Sequence, residues 1–173
     1  MKDIRPTSGR VMSALFSILG DVIDGAEFLD LFAGTGRVGL EALRRGAKRA
    51  VFVEGVRNRA DEIKRGLRDS DSNIVLSLEI QRALSWLVKR EMRFTIIFAD
   101  PPYNSGWCDS LPALTNLDAL FSPGALMVIE HSVREPLTLV SNPHNLAITS
   151  QREYGETCLT FLQTNNPERN ESN

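Results

Sequence analysis

Four consecutive residues, Asp100-Pro101-Pro102-Tyr103, combine groups that could hold a planar amino group. The Asp100 carboxylate accepts hydrogen bonds, and the two prolines add stiff carbonyl acceptors because their φ angles are fixed. Tyr103 offers a flat ring for base stacking, worth roughly 1–3 kcal/mol. The apolar run 94–99 before them predicts a buried strand, and open α/β sheets bind ligands at the carboxyl ends of strands. The plain alternative is an ordinary turn, since Pro-Pro pairs often mark loops.

A glycine-rich segment lies upstream, where the apolar run 28–32 leads into a Gly-x-Gly-x-x-Gly pattern and then a helical pattern. Glycines permit a tight turn and the close approach of a ligand to the backbone. Asp30 lies within the strand end, where a carboxylate would disfavour a pyrophosphate and favour a cationic or amino-bearing ligand. The predicted cofactor-binding residues here are Asp30, Phe32, Ala33, Gly34, Thr35, Gly36 and Gly39.

Glu54 closes a second apolar run, residues 50–53. An acid at the end of the second strand commonly binds ribose hydroxyls, and its spacing from the glycines suits that role. Together with Asp30 and the glycines, Glu54 predicts a pocket for S-adenosylmethionine. The alternative for Glu54 is a solvated acid at a strand end.

These segments resemble the RsmD-type family of S-adenosylmethionine-dependent methyltransferases, which methylate the N2 amino group of a guanine in bacterial 16S ribosomal RNA. The string from Asp30 to Gly36 and the order of the whole set are its specific parts, whereas Asp-Pro-Pro-Tyr is shared with DNA amino-methyltransferases. The matching pieces are Arg5-Pro6-Thr7, Arg10-Val11, Leu15-Phe16, Asp30 to Gly36, Gly39 to Ala42, Arg45-Gly46-Ala47, Val53-Glu54, Asp100 to Tyr103, Glu130-His131 and Tyr154-Gly155.

The resemblance implies a direct methyl transfer to guanine N2, without a covalent enzyme intermediate. Its catalytic residues would be Asp100, Pro101, Pro102 and Tyr103, with Asp100 also bordering the cofactor. The substrate side would hold Arg5, Thr7, Arg10, Tyr103 and His131. For His131, a structural hydrogen-bonding role is the alternative. Two other functions stay open: an amino-methyltransferase acting on DNA adenine N6 or cytosine N4, and a catalytically inactive relative that binds RNA.

The chain departs from the family pattern at two places. Related enzymes often carry a small acid or amide before Ala83 to hold the adenine amino group, but this chain has Arg82 there, which cannot accept a hydrogen bond. Gln81 could serve if the register slips by one residue, so Gln81 and Ala83 are predicted cofactor contacts. Family members also begin with a basic β-hairpin before Arg5, and this chain starts without one. We therefore expect weaker RNA affinity or a different chain start.

Alternating strand and helix patterns predict an α/β fold. By resemblance it is a class I, Rossmann-like methyltransferase with a mostly parallel seven-stranded sheet and a C-terminal antiparallel hairpin. We expect one domain over residues 1–163 and a disordered tail over 164–173. Predicted strands are 28–32, 50–54, 74–78, 94–99, 125–130, 146–149 and 158–162. Predicted helices are one after a Thr7 or Ser8 cap and others at 38–45, 58–68, 83–90 and 110–120.

Composition narrows the partners. No apolar run approaches the ~20 residues of a membrane span, and no signal peptide opens the chain, so a cytoplasmic protein is expected. Two separated cysteines and two histidines predict no disulfide and no metal.

The charges are unevenly distributed along the chain. Residues 1–93 hold 17 basic and 13 acidic residues, and the residues after them hold 3 and 9. A basic face could meet phosphate, although solvated helix surface is the simpler interpretation. By resemblance the partner is 16S rRNA in an assembling small subunit, and a monomer is expected.

Overall fold

A single mixed sheet organises the protein in a computed structural model, which describes residues 8–67, 72–139 and 141–164. Its seven strands lie in the order β3-β2-β1-β4-β5-β7-β6. Strands β1 to β5 are parallel to one another, whereas β7 is antiparallel to both β5 and β6. This is the predicted class I methyltransferase architecture. The strands are β1 Glu27–Leu31, β2 Arg49–Val53, β3 Ile74–Leu76, β4 Phe94–Ala99, β5 Phe121–Ser132, β6 Leu146–Tyr154 and β7 Thr157–Thr164.

Helices connect the parallel strands and cover both faces of the sheet. Side chains alternate along the strands: Phe28 belongs to one buried cluster, and Leu29 and Leu31 belong to the other. The first cluster includes residues of α1, α2 and α3, and the second includes residues of α4 and α5. The helices are α1 Gly9–Leu19, α2 Arg37–Arg44, α3 Arg57–Gly66, α4 Ile80–Val88 and α5 Trp107–Ser110.

The first helix begins where the sequence predicts. Ser8 is its N-cap, and the Ser8 hydroxyl accepts a hydrogen bond from the Val11 amide at 3.3 Å. Such a cap satisfies one of the free amides at a helix start. The alternative cap, Thr7, lies outside the described residues, as does most of the predicted tail. Within the described ranges, no helix is long and apolar enough to cross a membrane.

The predicted helix at 110–120 is wrong. The chain instead forms the single turn α5 and two 3₁₀ turns, Leu111–Ala113 and Asp118–Leu120. Because α5 starts at Trp107, Pro112 would fall inside a continuing helix, where it cannot donate to a carbonyl four residues earlier. Asn116 then adopts φ 71°, a left-handed conformation that no helix continues through. The apolar spacing of this segment reflects burial of separate turns.

The chain closes with the predicted hairpin. Strands β6 and β7 pair from Tyr154 with Thr157 to Ser150 with Phe161, the register shifts between Ser150 and Ile148, and Gly155 turns the chain at φ 67°. Strand β7 then inserts beside β5, with His131 opposite Cys158. The hairpin therefore reaches the same edge of the sheet as the Asp100 segment.

Candidate active site

Parallel pairing brings the three predicted site segments to one edge of the sheet. Leu31, the last residue of β1, is paired with Val53 of β2 and with Ala99 of β4. The residues that follow these three strands are therefore neighbours, although the sequence separates them widely. The Asp100 amide also lies 3.5 Å from the Leu31 carbonyl. This edge joins Glu54, the Asp-Pro-Pro-Tyr segment and residues 32–39, which run from the end of β1 into α2 and which we call the glycine loop.

The glycine loop is tightly enclosed by the core. At Gly36, which has φ 74°, an added Cβ would lie 2.9 Å from Ile63. At Gly39, an added Cβ would lie 2.3 Å from the ring of Phe52, which is fully buried. The Gly36 amide donates to the Ala33 carbonyl at 2.7 Å, which closes the turn before α2. The glycines thus let the loop pack against β2 and α3 while its outer side stays accessible.

Glu54 organises the backbone between β1 and α3. One carboxylate oxygen accepts from the Gly34 amide at 2.8 Å, and the other accepts from the Val56 amide at 2.7 Å. Arg59 approaches the same carboxylate at 3.9 Å. Each carboxylate oxygen has two lone pairs, so both can still accept a ligand hydroxyl. The acid predicted to bind a ribose therefore also shapes the glycine loop.

Asp30 is buried beneath the loop, with 2 % of its surface exposed. Its carboxylate accepts a hydrogen bond from the Gly39 amide at 2.9 Å. Burial raises the pKa of Asp30 to about 7, the Gly39 hydrogen bond opposes that rise, and the nearby Glu54 charge adds to it. In this arrangement Asp30 holds the start of α2.

The raised pKa of Asp30 predicts a pH-dependent stability. The folded protein binds the Asp30 proton more tightly than the unfolded chain, so stability falls as pH rises from about 4 to about 7. Asp30→Asn keeps an oxygen for the Gly39 amide and removes this loss. Between pH 5 and pH 8 the melting temperature of the variant should gain roughly 5 °C on the parent protein. Calorimetry across this range checks it, and a difference independent of pH would contradict it.

Phe32 connects the glycine loop to the Asp-Pro-Pro-Tyr segment. It adopts φ 61°, a conformation that costs a bulky residue energy and that clusters at functional sites. Its ring packs edge-on against Trp107, with the ring centroids 5.0 Å apart. Trp107 begins α5, four residues after Tyr103 of the Asp-Pro-Pro-Tyr segment. This contact couples the two loops.

The residues of the Asp-Pro-Pro-Tyr segment differ in burial, and the last of them contacts the hairpin. Pro101 is buried and Pro102 is exposed, while Asp100 and Tyr103 are partly buried. The Tyr103 hydroxyl lies 3.4 Å from the Thr157 hydroxyl at the start of β7. The hairpin therefore holds the hydroxyl end of the Tyr103 ring. A ring held in this way is suited to stacking with a flat ligand.

The two predicted adenine contacts, Ala83 and Gln81, lie in different environments on α4. Ala83 is fully buried in the core, and Gln81 is exposed on the first turn of the helix. Sequence reasoning missed Glu79, the N-cap residue of α4, which makes no capping hydrogen bond. Its carboxylate lies 3.3 Å from the position of an added Cβ at Gly55, next to Glu54. An acid directly before a helix that follows the third strand was the signal that could have revealed it.

The predicted substrate residues have different environments. Arg10 is exposed in the first turn of α1, and Arg5 and Thr7 lie outside the described residues. His131 is 2 % exposed, and its ring nitrogens contact the Ser132 carbonyl at 3.0 Å and the Thr160 hydroxyl at 2.8 Å. The ring is buried, and its contact with Thr160 links β5 to β7.

Several of the predicted basic residues are engaged with acids on the surface. Glu41 accepts hydrogen bonds from Arg44 at 2.7 Å and from Arg45 at 2.6 Å, and Glu27 accepts one from Arg49 at 2.5 Å. The Glu41 pairs favour the interpretation of solvated helix surface for α2, whereas the Glu27–Arg49 pair joins β1 to β2. In the part of the chain that the structure describes, no cluster of three His, Cys, Asp or Glu side chains could hold a metal ion.

Comparisons with known proteins identify the family of this chain. The family model described as Conserved hypothetical protein 95 matches residues 1–163. The Ribosomal RNA small subunit methyltransferase D of Escherichia coli is 31% identical over 163 residues, covering 92% of this chain and 79% of the relative. The Bacillus subtilis protein YlbH is 33% identical over 156 residues, covering 88% and 84%.

A solved structure shows the same fold. The Escherichia coli protein YhhF superposes with a TM-score of 0.78 and 29% identity, over 95% of this chain and 89% of that one. The sequence motifs, the matched family model and these relatives indicate the same family. The chain belongs to the RsmD-type family, the family of Ribosomal RNA small subunit methyltransferase D.

Proposed function

We propose that this protein is an S-adenosylmethionine-dependent methyltransferase that modifies the N2 amino group of a guanine in 16S ribosomal RNA. The observation that carries the proposal is the shared sheet edge, where the glycine loop, Glu54 and Asp100 follow three paired strands. The relatives' name supports ribosomal RNA of the small subunit as the substrate. We propose an assembling subunit as the target and a cytoplasmic monomer as the working form.

The donor set fits the proposed cofactor. Glu54 offers acceptor oxygens suited to ribose hydroxyls, and the loop offers backbone groups that Gly36 keeps close to the core. The Asp30 carboxylate sits below, where it fixes the Gly39 end of that loop. When bound, S-adenosylmethionine supplies an activated methyl group. We propose that residues Phe32 to Gly36, Gly39, Glu54 and Asp100 border it.

The Asp-Pro-Pro-Tyr segment would prepare the amino group. A guanine N2 is a poor nucleophile because its lone pair is delocalised into the ring. Hydrogen bonds from its two N–H groups to the Asp100 carboxylate and the Pro101 carbonyl would favour a pyramidal nitrogen and stabilise the developing positive charge. Asp100 need not be a strong base, because the methylated nitrogen is acidic. Tyr103 would stack on a base turned out of its helix or loop.

The RNA backbone requires contacts outside this pocket. We propose Arg10, exposed at the start of α1, together with Arg5 and Thr7, as contacts to phosphate or to the cofactor carboxylate. Arginine suits either role because its planar group donates several hydrogen bonds. His131 is left out of the substrate site, since its ring is buried between β5 and β7.

Glu79 is the proposed acceptor for the adenine amino group. It lies beside Gly55 at the Glu54 end of the site, and it can accept hydrogen bonds where Arg82 cannot. Glu79→Ala should weaken binding of S-adenosylhomocysteine about 3- to 10-fold, the worth of one hydrogen bond. Calorimetric titration checks this, with Gln81→Ala as the matched control. If Gln81→Ala weakens binding and Glu79→Ala does not, the Gln81 prediction is the correct one.

The function is tested by following labelled methyl groups. Purified protein is incubated with radiolabelled S-adenosylmethionine and, in separate reactions, with small ribosomal subunits from cells that lack the enzyme and with unmethylated DNA, followed by nucleoside analysis. Label in N2-methylguanosine is the expected result. Label in another nucleoside would overturn the guanine specificity, and label on DNA adenine N6 or cytosine N4 would support the DNA enzyme. Cofactor binding without transfer to any nucleic acid would favour an inactive relative.

A further inference from the structure

We infer that Glu135 is a positioning residue for the loop that carries Asp100 and Tyr103. The catalytic meaning of this inference rests on the proposed function, whereas the contact itself does not. Glu135 lies 31 residues beyond the loop, in the segment 133–139 that follows β5. We call this segment the clasp. Neither the motifs nor the apolar periodicity of the sequence points to it.

The clasp holds the loop at a conformationally costly residue. The Asn104 amide donates to the Glu135 carboxylate at 2.7 Å, and Asn104 adopts φ 54°. A left-handed conformation is disfavoured for most residues, although asparagine tolerates it better than most. A charged acceptor makes a stronger hydrogen bond than a neutral one. Glu135 therefore stabilises the turn that directly follows Tyr103.

The Glu135 carboxylate is presented from an anchored backbone. The Glu135 amide donates to the Ser132 carbonyl at 3.0 Å, and the Val133 amide donates to the Glu156 carbonyl at 3.0 Å. Arg134 also pairs with the Glu156 side chain. These contacts attach the clasp to the end of β5 and to the hairpin turn. The clasp can thus transmit the position of the sheet to the loop.

A second contact holds the far end of the loop. The Thr138 hydroxyl donates to the Asp109 carboxylate in α5, two residues after Trp107. Trp107 in turn packs on Phe32 of the glycine loop. The clasp therefore contacts the chain at Asn104, where the turn 104–106 begins, and at Asp109 beyond it, while the Tyr103 hydroxyl lies near Thr157. Loss of Glu135 should misplace Tyr103 and Asp100 without altering the glycine loop.

The contact can be measured without any activity. Amide exchange by NMR should show the Asn104 amide protected in the parent protein, exposed in Glu135→Ala and protected again in Glu135→Gln, which keeps an acceptor oxygen. The control is Glu62→Ala, an exposed position on α3. An Asn104 amide that exchanges freely in the parent protein would overturn the inference, whatever the enzyme does.

The kinetic test separates positioning from simple stability. With Glu135→Ala, kcat should fall about 10- to 100-fold, because small displacements of reacting groups are costly. The Kd for S-adenosylhomocysteine should stay within about twofold, and Glu135→Gln should restore most of kcat. A lower melting temperature with unchanged kcat would make Glu135 merely structural and overturn the inference. If the parent protein transfers no methyl group while the exchange pattern holds, the proposed function fails and the clasp stands.

Discussion

Asp100→Ala is expected to lower kcat by about 10²- to 10³-fold while S-adenosylhomocysteine binding changes only a few-fold. The carboxylate would accept hydrogen bonds from the target amino group and face the positive charge that develops there. Removing such preorganised electrostatic stabilisation acts on the transition state more than on ground-state binding. Single-turnover methyl transfer and calorimetric titration of the cofactor product measure the two quantities separately.

Asp100→Asn sharpens this experiment. The amide keeps one acceptor oxygen and loses the charge, so kcat should lie between the parent protein and Asp100→Ala. The Asp100 amide lies near the Leu31 carbonyl, a backbone contact that neither substitution removes, so the strand end should stay in place. Equal losses in turnover and cofactor binding would show that Asp100 acts mainly by holding the cofactor.

Gly39→Ala is expected to destabilise the fold by about 1–3 kcal/mol, the usual range for overpacking a core. The added Cβ would lie 2.3 Å from the Phe52 ring, which is fully buried between the sheet and its helices. Relief requires α2 or the ring to shift, and either movement strains the hydrogen bond from Gly39 to Asp30. The melting temperature should fall by about 2–12 °C.

The matched control is Gly9→Ala, at the first residue of α1. An added Cβ there meets nothing within 4 Å, and alanine lowers the entropy of the unfolded chain, so stability should stay equal or rise slightly. Denaturant titrations of both variants give the free energies of unfolding. If Gly39→Ala proves as stable as the parent protein, the close packing of α2 against β2 is wrong.

Local patterns were sufficient where one residue class decides the conformation. The largely apolar run around Asp30 and the apolar runs before Glu54 and Asp100 predicted three parallel strands, because strands buried on both faces need a nearly continuous apolar sequence. The hairpin at Gly155 was equally predictable, since two β-rich runs flank a turn without a helix between them. Periodicity failed at 110–120, where Pro112 and Asn116 interrupt a segment whose apolar residues are buried by separate turns.

The family, the α/β fold class and the residue types at the strand ends could be predicted from the sequence, because these depend on local composition and on motif order. The surroundings of each side chain depend on the tertiary structure. It buried His131 between β5 and β7, placed Glu79 beside Gly55, and brought Glu135 to Asn104 across 31 residues. Contacts of this kind arise from the order and register of strands, which no local pattern encodes.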